Sequence, residues 1–231
     1  MNKETLLNEL AIRGISLNKQ QLDSLMDLME TTLKTNEKFN LTAIKDEDSF
    51  IEKMIFDSAI ALQNLDLSNK KVIDVGTGAG FPGMVLYILN PEMDLTLLDS
   101  TKKKIDYLDN YCKERNYHIE CITSRAEEFS RRETYDYAFA RAVAPLNILL
   151  ELIMPILKVG GTFIALKGQG FEQEIIDSQS AMKKLNCHLV KIVDDELPES
   201  LEKRVMIYIQ KDKETHKKYP RSYSDIKKLP L

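Results

Sequence analysis

Apolar residues in the first 65 positions recur at the three- and four-residue spacing of amphipathic helices. One apolar face lies within residues 17–33 and contains Leu22, Leu25, Met26, Leu28, Met29 and Leu33. A second follows the acidic run 46–48, which suits a helix N-terminus, and contains Phe50, Ile51, Met54, Ile55 and Ala59. The pattern predicts a helical N-terminal region that buries one side.

From residue 71 onward, short β-branched runs alternate with helical periodicity. The predicted strands are residues 71–75, 95–99, 118–122, 135–140, 162–166, 189–194 and 205–210. The predicted helices are residues 83–89, 102–115, 146–157 and 172–185. Alternation of this kind predicts a doubly wound, Rossmann-like α/β fold with about seven mainly parallel strands. The last two strands have no helix between them and should form an antiparallel pair.

The pattern divides the chain into a helical extension at 1–66, an α/β domain at 67–212 and a C-terminal tail at 213–231. Residues 211–231 contain seven Lys/Arg and three Asp/Glu, a balance of +4, although the whole chain carries −4. An acidic chain is not expected to bind nucleic acid by bulk charge. The basic tail is either a solvated terminus or a local patch for phosphates.

Composition narrows the class of protein further. The 231 residues are 43% hydrophobic and 29% charged, and no apolar run approaches the roughly 20 residues of a membrane span. The first residues lack the apolar stretch of a signal peptide. The three cysteines, Cys112, Cys121 and Cys187, are far apart and never form a C-x-x-C pair. We therefore expect a cytoplasmic monomer without disulfides or a metal ion.

A glycine-rich loop follows the first predicted strand and reads Asp74-Val75-Gly76-Thr77-Gly78-Ala79-Gly80. Such a loop lets backbone N–H groups approach a ligand at the carboxyl ends of the strands. The dinucleotide pattern G-x-G-x-x-G fails from Gly76, because its sixth position is Phe81, and matches only two residues late, from Gly78. Asp99 ends the second strand, where a carboxylate can accept both hydroxyls of a ribose. The alternative is a structural turn with a capping aspartate.

Ordered strings along nearly the whole chain carry a more specific resemblance. They are Asn40-Leu41-Thr42, Asp57-Ser58, residues 76–82, Arg125-Ala126-Glu127-Glu128, Arg141-Ala142-Val143-Ala144-Pro145-Leu146, Leu166-Lys167-Gly168 and Tyr219-Pro220-Arg221. The Asp-x-Gly-x-Gly-x-Gly loop resembles motif I of class I methyltransferases. Together the strings resemble the glucose-inhibited division protein B family, the small-subunit ribosomal RNA guanine-N7 methyltransferases.

The resemblance implies S-adenosylmethionine as the cofactor of domain 67–212 and ribosomal RNA, within the small ribosomal subunit, as the partner. The implied cofactor site has glycines at the methionine end with an aromatic ring nearby, polar residues at the ribose and two residues at the adenine: Gly76, Gly78, Gly80, Phe81, Asp99, Ser100, Thr101, Ala126 and Glu127. Arg141 would also belong to the cofactor site and would lie between cofactor and substrate, and Arg125 and Lys167 would face the RNA. These three form the implied catalytic set.

The residues alone leave other interpretations open. Arg141 follows an apolar strand and needs a partner, so it is alternatively a structural ion pair with Glu127 or Asp74. Lys167 is alternatively a solvated charge. The chain departs from the family pattern at Met54, where a histidine is usual, and at residues 222–226, which lack the usual Pro-Gly.

Missing motifs restrict the chemistry. There is no Asn/Asp-Pro-Pro-aromatic string and no Pro-Cys pair, the signatures of adenine-N6 and pyrimidine-C5 enzymes. Guanine N7 carries a free lone pair, so its methylation needs positioning rather than a general base. The alternatives are a methyltransferase of the same fold acting on a small molecule or protein, a non-catalytic RNA-binding module, and a nicotinamide dehydrogenase.

Overall fold

The computed structural model describes all residues, 1–231, and begins with the predicted helical region. Helix α1 (Lys3–Ile12) precedes α2 (Lys19–Asn36), which starts at a capping box between Asn18 and Gln21. The next helical stretch comprises α3 (Glu47–Phe50), a π-helical turn (Ile51–Phe56), α4 (Asp57–Ala59) and a 3₁₀ turn (Ile60–Leu62). The side chain of Asp46 caps this stretch, accepting the N–H of Ser49.

A seven-stranded sheet forms the centre of the molecule. Its strands are β1 (Lys71–Val75), β2 (Asp94–Asp99), β3 (Glu120–Thr123), β4 (Tyr135–Arg141), β5 (Leu157–Lys167), β6 (Cys187–Glu196) and β7 (Lys203–Lys211), in the order β3-β2-β1-β4-β5-β7-β6. The first five are parallel, and β7 runs antiparallel to both β5 and β6. The remaining helices are α5 (Gly83–Leu89), α6 (Lys102–Glu114), α7 (Leu146–Ile153), α8 (Phe171–Asp177), α9 (Gln179–Leu185) and α10 (Tyr223–Lys228). The predicted fold class is confirmed.

Two elements differ from the predicted boundaries. Strand β5 starts at Leu157, five residues early, and α7 ends at Ile153. Gly161 lies inside β5 because an added Cβ would come within 3.1 Å of the Tyr135 and Asp136 carbonyl oxygens of the neighbouring strand β4. The single helix predicted at 172–185 is two helices, joined at Ser178. The buried Ser178 hydroxyl donates to the Glu174 carbonyl at 2.6 Å, which is the competition with helix hydrogen bonds that a hydroxyl offers.

Helices cover both faces of the sheet. The N-terminal helices pack together with α5 and α6 in one apolar cluster, and α7, α9 and α10 pack in another on the opposite face. The helical extension thus shares a core with the α/β domain and is not a separate body. None of the helices combines the length and the apolar character required to cross a bilayer.

The C-terminal segment, residues 213–231, packs on α7. The guanidinium of Arg221 donates to both carboxylate oxygens of the fully buried Glu151, at 2.8 and 2.6 Å. Arg132 donates to the carbonyls of Thr215 and Tyr219 at 2.9 and 2.6 Å. The segment's remaining lysines are exposed and retain the predicted basic surface: Lys213, Lys217, Lys218, Lys227 and Lys228.

Candidate functional site

The buried side chain of Asp74 holds the glycine loop between β1 and α5 on the side that faces the core. Its Oδ2 atom accepts hydrogen bonds from the Thr77 hydroxyl at 2.6 Å and from the Gly83 N–H at 2.9 Å. Its Oδ1 atom is buried without a partner. Burial raises the pKa of this carboxyl to about 6, and the two hydrogen bonds oppose that rise. Asp74 therefore fixes the loop's shape from below and is separated from the space above it.

A cavity of about 330 Å³ opens above the loop, at the carboxyl ends of the parallel strands. It is lined by Val75, Gly76, Gly78, Leu98, Asp99, Ser100, Thr101, Lys104, Ser124, Arg125, Ala126, Glu127, Arg141, Ala142, Val143, Leu152 and Tyr223. Because the strand order is β3-β2-β1-β4, the cavity runs from the end of β3, across β2 and β1, to Arg141 at the end of β4. We call it the loop cavity.

The donors in the loop cavity fit S-adenosylmethionine. Asp99 ends β2, and its two oxygens accept the N–H groups of Gly78 and Thr101 at 2.9 and 2.7 Å; each oxygen keeps a lone pair for a ribose hydroxyl. An added Cβ at Gly76 would lie 2.5 Å from Val143 Cγ2, so only glycine leaves room at this wall. Apolar side chains of Leu98, Ala126 and Leu152, whose residues line the cavity, suit a purine ring.

A second cavity of about 430 Å³ lies beyond Arg141. It is lined by Lys53, Asp57, Arg141, Ala142, Leu166, Lys167, Gly168, Glu174 and Arg204, and we call it the basic cavity. Four of these residues are cations and two are carboxylates. The loop and basic cavities have Arg141 and Ala142 in common, so a molecule in either one would meet the same guanidinium.

Asp57 holds the guanidinium of Arg141 in place. Its two oxygens accept from Arg141 Nη1 at 3.1 Å and from Arg204 Nε at 3.0 Å. Arg141 also donates to the Lys53 carbonyl at 3.0 Å and contacts the Met54 sulfur at 3.2 Å. The predicted structural partners of Arg141, Glu127 and Asp74, are therefore wrong. Asp57 takes their place because the end of β4 faces the start of α4, a proximity between residues 84 positions apart.

Glu127 and Lys167 also have ion-pair partners that the sequence did not predict. Glu127 pairs with Arg125 at 2.5 Å. Lys167 is not a solvated charge: its side chain is 9% exposed and lies 2.7 Å from Glu174 and 2.8 Å from the Ala144 carbonyl.

Most residues predicted for the cofactor site line the loop cavity. Gly80 and Phe81 do not. A Cβ at Gly80 would lie 2.6 Å from Met84 Cγ, which shows a packing role against α5. Phe81 is 3% exposed and meets the ring of Phe50 edge-on, 5.4 Å between centroids. The arginine predicted to lie between cofactor and substrate, Arg141, is 5.9 Å from the Phe81 ring centroid.

The three residues of the predicted catalytic set are not gathered at one point. Arg125 lines only the loop cavity, Lys167 lines only the basic cavity, and Arg141 lines both. Sequence reasoning missed Arg204 and Tyr223 as lining residues. Arg204 had no signal, since it lies one residue before the predicted strand 205–210, whereas Tyr223 stands within the departure from the family pattern at 222–226.

A Rossmann-like sheet with this order, a glycine loop after β1 and a carboxylate at the end of β2 define a class I S-adenosylmethionine-dependent methyltransferase. Solved structures of that class share the fold. M. jannaschii TYW2 in complex with AdoMet has a TM-score of 0.58 at 13% identity, over 73% of this chain and 79% of that one. A SAM-dependent methyltransferase from Aquifex aeolicus has a TM-score of 0.55 at 15% identity, over 77% and 98%.

The family is shown by sequence. The profile described as GidB, rRNA small subunit methyltransferase G, matches residues 21–202. A protein of Bacillus cytotoxicus with the name ribosomal RNA small subunit methyltransferase G is 39% identical over 100% of this chain and 99% of its own length. A protein of the same name from Alkaliphilus oremlandii is 40% identical over 94% of both chains. The chain belongs to the rRNA small subunit methyltransferase G family.

Proposed function

We propose that this enzyme transfers the methyl group of S-adenosylmethionine to N7 of a guanine in 16S ribosomal RNA. The observation that carries the proposal is the position of Arg141 on the wall common to the loop cavity and the basic cavity. The names of the relatives support ribosomal RNA of the small subunit as the substrate. The chemistry of the basic cavity supports guanine as the acceptor.

The order of the strands supports an orientation for the cofactor. Asp99 at the end of β2, with Ser100 and Thr101, would hold the ribose. The adenine would then lie toward β3, at Ala126 and Glu127, and the methionine part toward Gly76 and Gly78 at β1. This orientation brings the sulfonium methyl group toward Arg141 and the basic cavity.

The basic cavity suits the edge of guanine that carries N7. Guanine presents two acceptors there, N7 and O6, and arginine or lysine is the usual partner for O6. Arg141, Lys167 and Arg204 supply such donors at the cavity wall, and the exposed Arg125 remains the proposed contact for the RNA backbone. Pre-placed positive charge of this kind orients a base without contributing a proton.

Methylation of N7 removes no proton, and the residues present match that requirement. No cysteine and no histidine lines either cavity, so the linings hold neither a covalent nucleophile of that kind nor an imidazole base. When bound, the cofactor supplies the electrophilic methyl group. The chain's own residues would hold the guanine with N7 facing the cofactor, and the apolar part of the wall would exclude water.

We also propose that the substrate is the assembled small subunit and that the enzyme works as a monomer in the cytoplasm. The acidic chain with its local basic surfaces supports the first of these. The whole chain carries −4, so affinity for RNA would come from shape and from the exposed lysines of the C-terminal segment. Binding of this kind weakens as salt rises, roughly in proportion to the phosphates contacted.

Replacing Arg141 tests the proposal. With Arg141→Ala, we expect transfer to small subunits to fall by about 10² or more, the loss typical of a removed transition-state donor. Affinity for S-adenosylhomocysteine should change much less, because Asp99 and the glycine loop are untouched. Arg131→Ala, a change at an exposed arginine that pairs with Glu120 on the edge strand β3 and lines neither cavity, is the control. Full activity with Arg141→Ala would overturn the assignment.

A further inference from the structure

The C-terminal helix contributes an aromatic ring to the loop cavity. Tyr223 is the first residue of α10 and lines this cavity, although it lies beyond the residues matched by the family profile, 21–202. We infer that Tyr223, together with Arg125, forms the outer wall of the adenine end of the cofactor site. The C-terminal segment is then a part of the cofactor site, in addition to its basic surface.

The position of the ring assigns it to the adenine end. The guanidinium of Arg125 lies 4.9 Å from the Tyr223 ring centroid, and Arg125 directly precedes the 3₁₀ turn Ala126–Glu128 that follows β3. Strand β3 is the edge strand on the side of β2 away from β1. Tyr223 therefore stands beside the end of the cavity that is farthest from Arg141 and the basic cavity.

The ring contacts the Arg125 guanidinium and packs against the apolar cluster that contains α7. Arg125 is fixed by its ion pair with Glu127, whose side chain is 9% exposed. The start of α10 is fixed by the Ser222 hydroxyl, which accepts the N–H of Asp225 at 3.2 Å, and by the fully buried Ile226. A ring that is already positioned loses little conformational entropy when a ligand meets it.

An aromatic ring beside an arginine, in a cavity whose wall also includes Leu98, Ala126 and Leu152, suits a purine. Stacking of a base on an aromatic side chain is sequence-tolerant and substantial, and the arginine adds a cation–π contact on the ring. The chemical group recognised is the adenine of the cofactor, so the inference rests on S-adenosylmethionine as cofactor and not on the RNA substrate. By this inference Arg125 contacts the cofactor site as well as the RNA backbone.

Titration with S-adenosylhomocysteine and with adenosine tests the inference by calorimetry. For Tyr223→Ala we expect both affinities to fall by about tenfold, the effect of one lost stacking contact. Tyr223→Phe keeps the ring and should stay within about twofold of the wild type. Ser224→Ala, a change at an exposed residue on the same helix, is the matched control. Wild-type affinity in Tyr223→Ala, with both ligands, would overturn the inference.

A fluorescence reporter separates a direct contact from a change in folding. The chain has no tryptophan, so Tyr223→Trp introduces a single one at the proposed wall. We expect adenosine and S-adenosylhomocysteine to shift its emission and methionine alone to leave it unchanged. An emission spectrum that adenosine leaves unchanged would contradict the position of residue 223 at the adenine end of the cavity. Neither experiment uses RNA, so a wild-type enzyme that binds S-adenosylhomocysteine but methylates no rRNA would refute the proposed function alone.

Discussion

Replacing Asp57 with asparagine tests how Arg141 is held at the junction of the two cavities. The change keeps the side chain's shape but turns one of its two oxygens into an NH₂ donor. Both oxygens now accept from arginines, Arg141 at 3.1 Å and Arg204 at 3.0 Å. In Asp57→Asn one arginine must therefore lose its acceptor and face another donor.

The expected cost follows from burial and charge. The Asp57 side chain is 7% exposed, and those of Arg141 and Arg204 are 15% and 19% exposed. A hydrogen bond to a charged group contributes about 1.5–3 kcal/mol, and a buried ion pair costs more to break than an exposed one. Because water reaches both arginines in part, we expect the free energy of unfolding to fall by about 2–3 kcal/mol.

In Asp57→Asn the rate of methyl transfer should fall more than the affinity for S-adenosylhomocysteine. Asp57 does not line the loop cavity, so the affinity for S-adenosylhomocysteine should stay within about threefold of the wild type. The transfer rate should fall by about tenfold or more because Arg141 is no longer fixed. Urea unfolding, calorimetry and a methyl-transfer assay measure the three quantities. The control is Asp106→Asn, the same change at an exposed partner of Lys102 that lines neither cavity. Unchanged stability and rate in Asp57→Asn would refute the reasoning, as would equal losses of rate and affinity.

Three further changes probe the loop cavity. Folding raises the pKa of the Asp74 carboxyl from 3.8 to about 6, so the stability that this group contributes is present at low pH and is lost as pH rises. Between about pH 5 and about pH 7.5, the free energy of unfolding of the wild type should fall by about 1.4 kcal/mol relative to that of Asp74→Asn. Equal pH slopes in urea unfolding would contradict this. Gly76→Ala and Gly14→Ala both place alanine at a positive φ, +73° and +75°, and each should lower stability by about 1–2 kcal/mol for that reason. Only the Cβ added at Gly76 also contacts the Val143 side chain. Only Gly76→Ala should therefore weaken S-adenosylhomocysteine binding in calorimetry. Asp99→Asn should weaken the same ligand by about tenfold, and wild-type affinity would show that the ribose is held elsewhere.

Local patterns in the sequence predict the fold well. Helix α5 begins and ends where its periodicity and flanking Pro82 indicate, and β1 coincides with its β-branched run. The prediction of β5 starts late because Gly160 and Gly161 have the composition of a turn. In the structure Gly161 serves a close approach of two backbones, which is a property of the neighbouring strand β4.

The site is less predictable because its contacts are long-range. The glycine loop and Asp99 are adjacent to the strands that present them, so their order along the chain is enough to place them. The pairing of Asp57 with Arg141 and Arg204 joins residues 84 and 147 positions apart, and no periodicity encodes it. Tyr223 reaches the cavity because the C-terminal segment packs on α7, where Arg221 pairs with Glu151, and that contact depends on the folded helix.

The most direct test of the central claim is to incubate the enzyme with methyl-labelled S-adenosylmethionine and small ribosomal subunits from a strain that lacks it. The 16S RNA is then digested and its nucleosides are separated, and a second sample is mapped by position. We predict label in 7-methylguanosine at one position, accumulating at least about a hundredfold more slowly when Arg141→Ala replaces the wild type. Label in a different nucleoside, or unlabelled RNA from an enzyme that binds S-adenosylhomocysteine, would contradict the account.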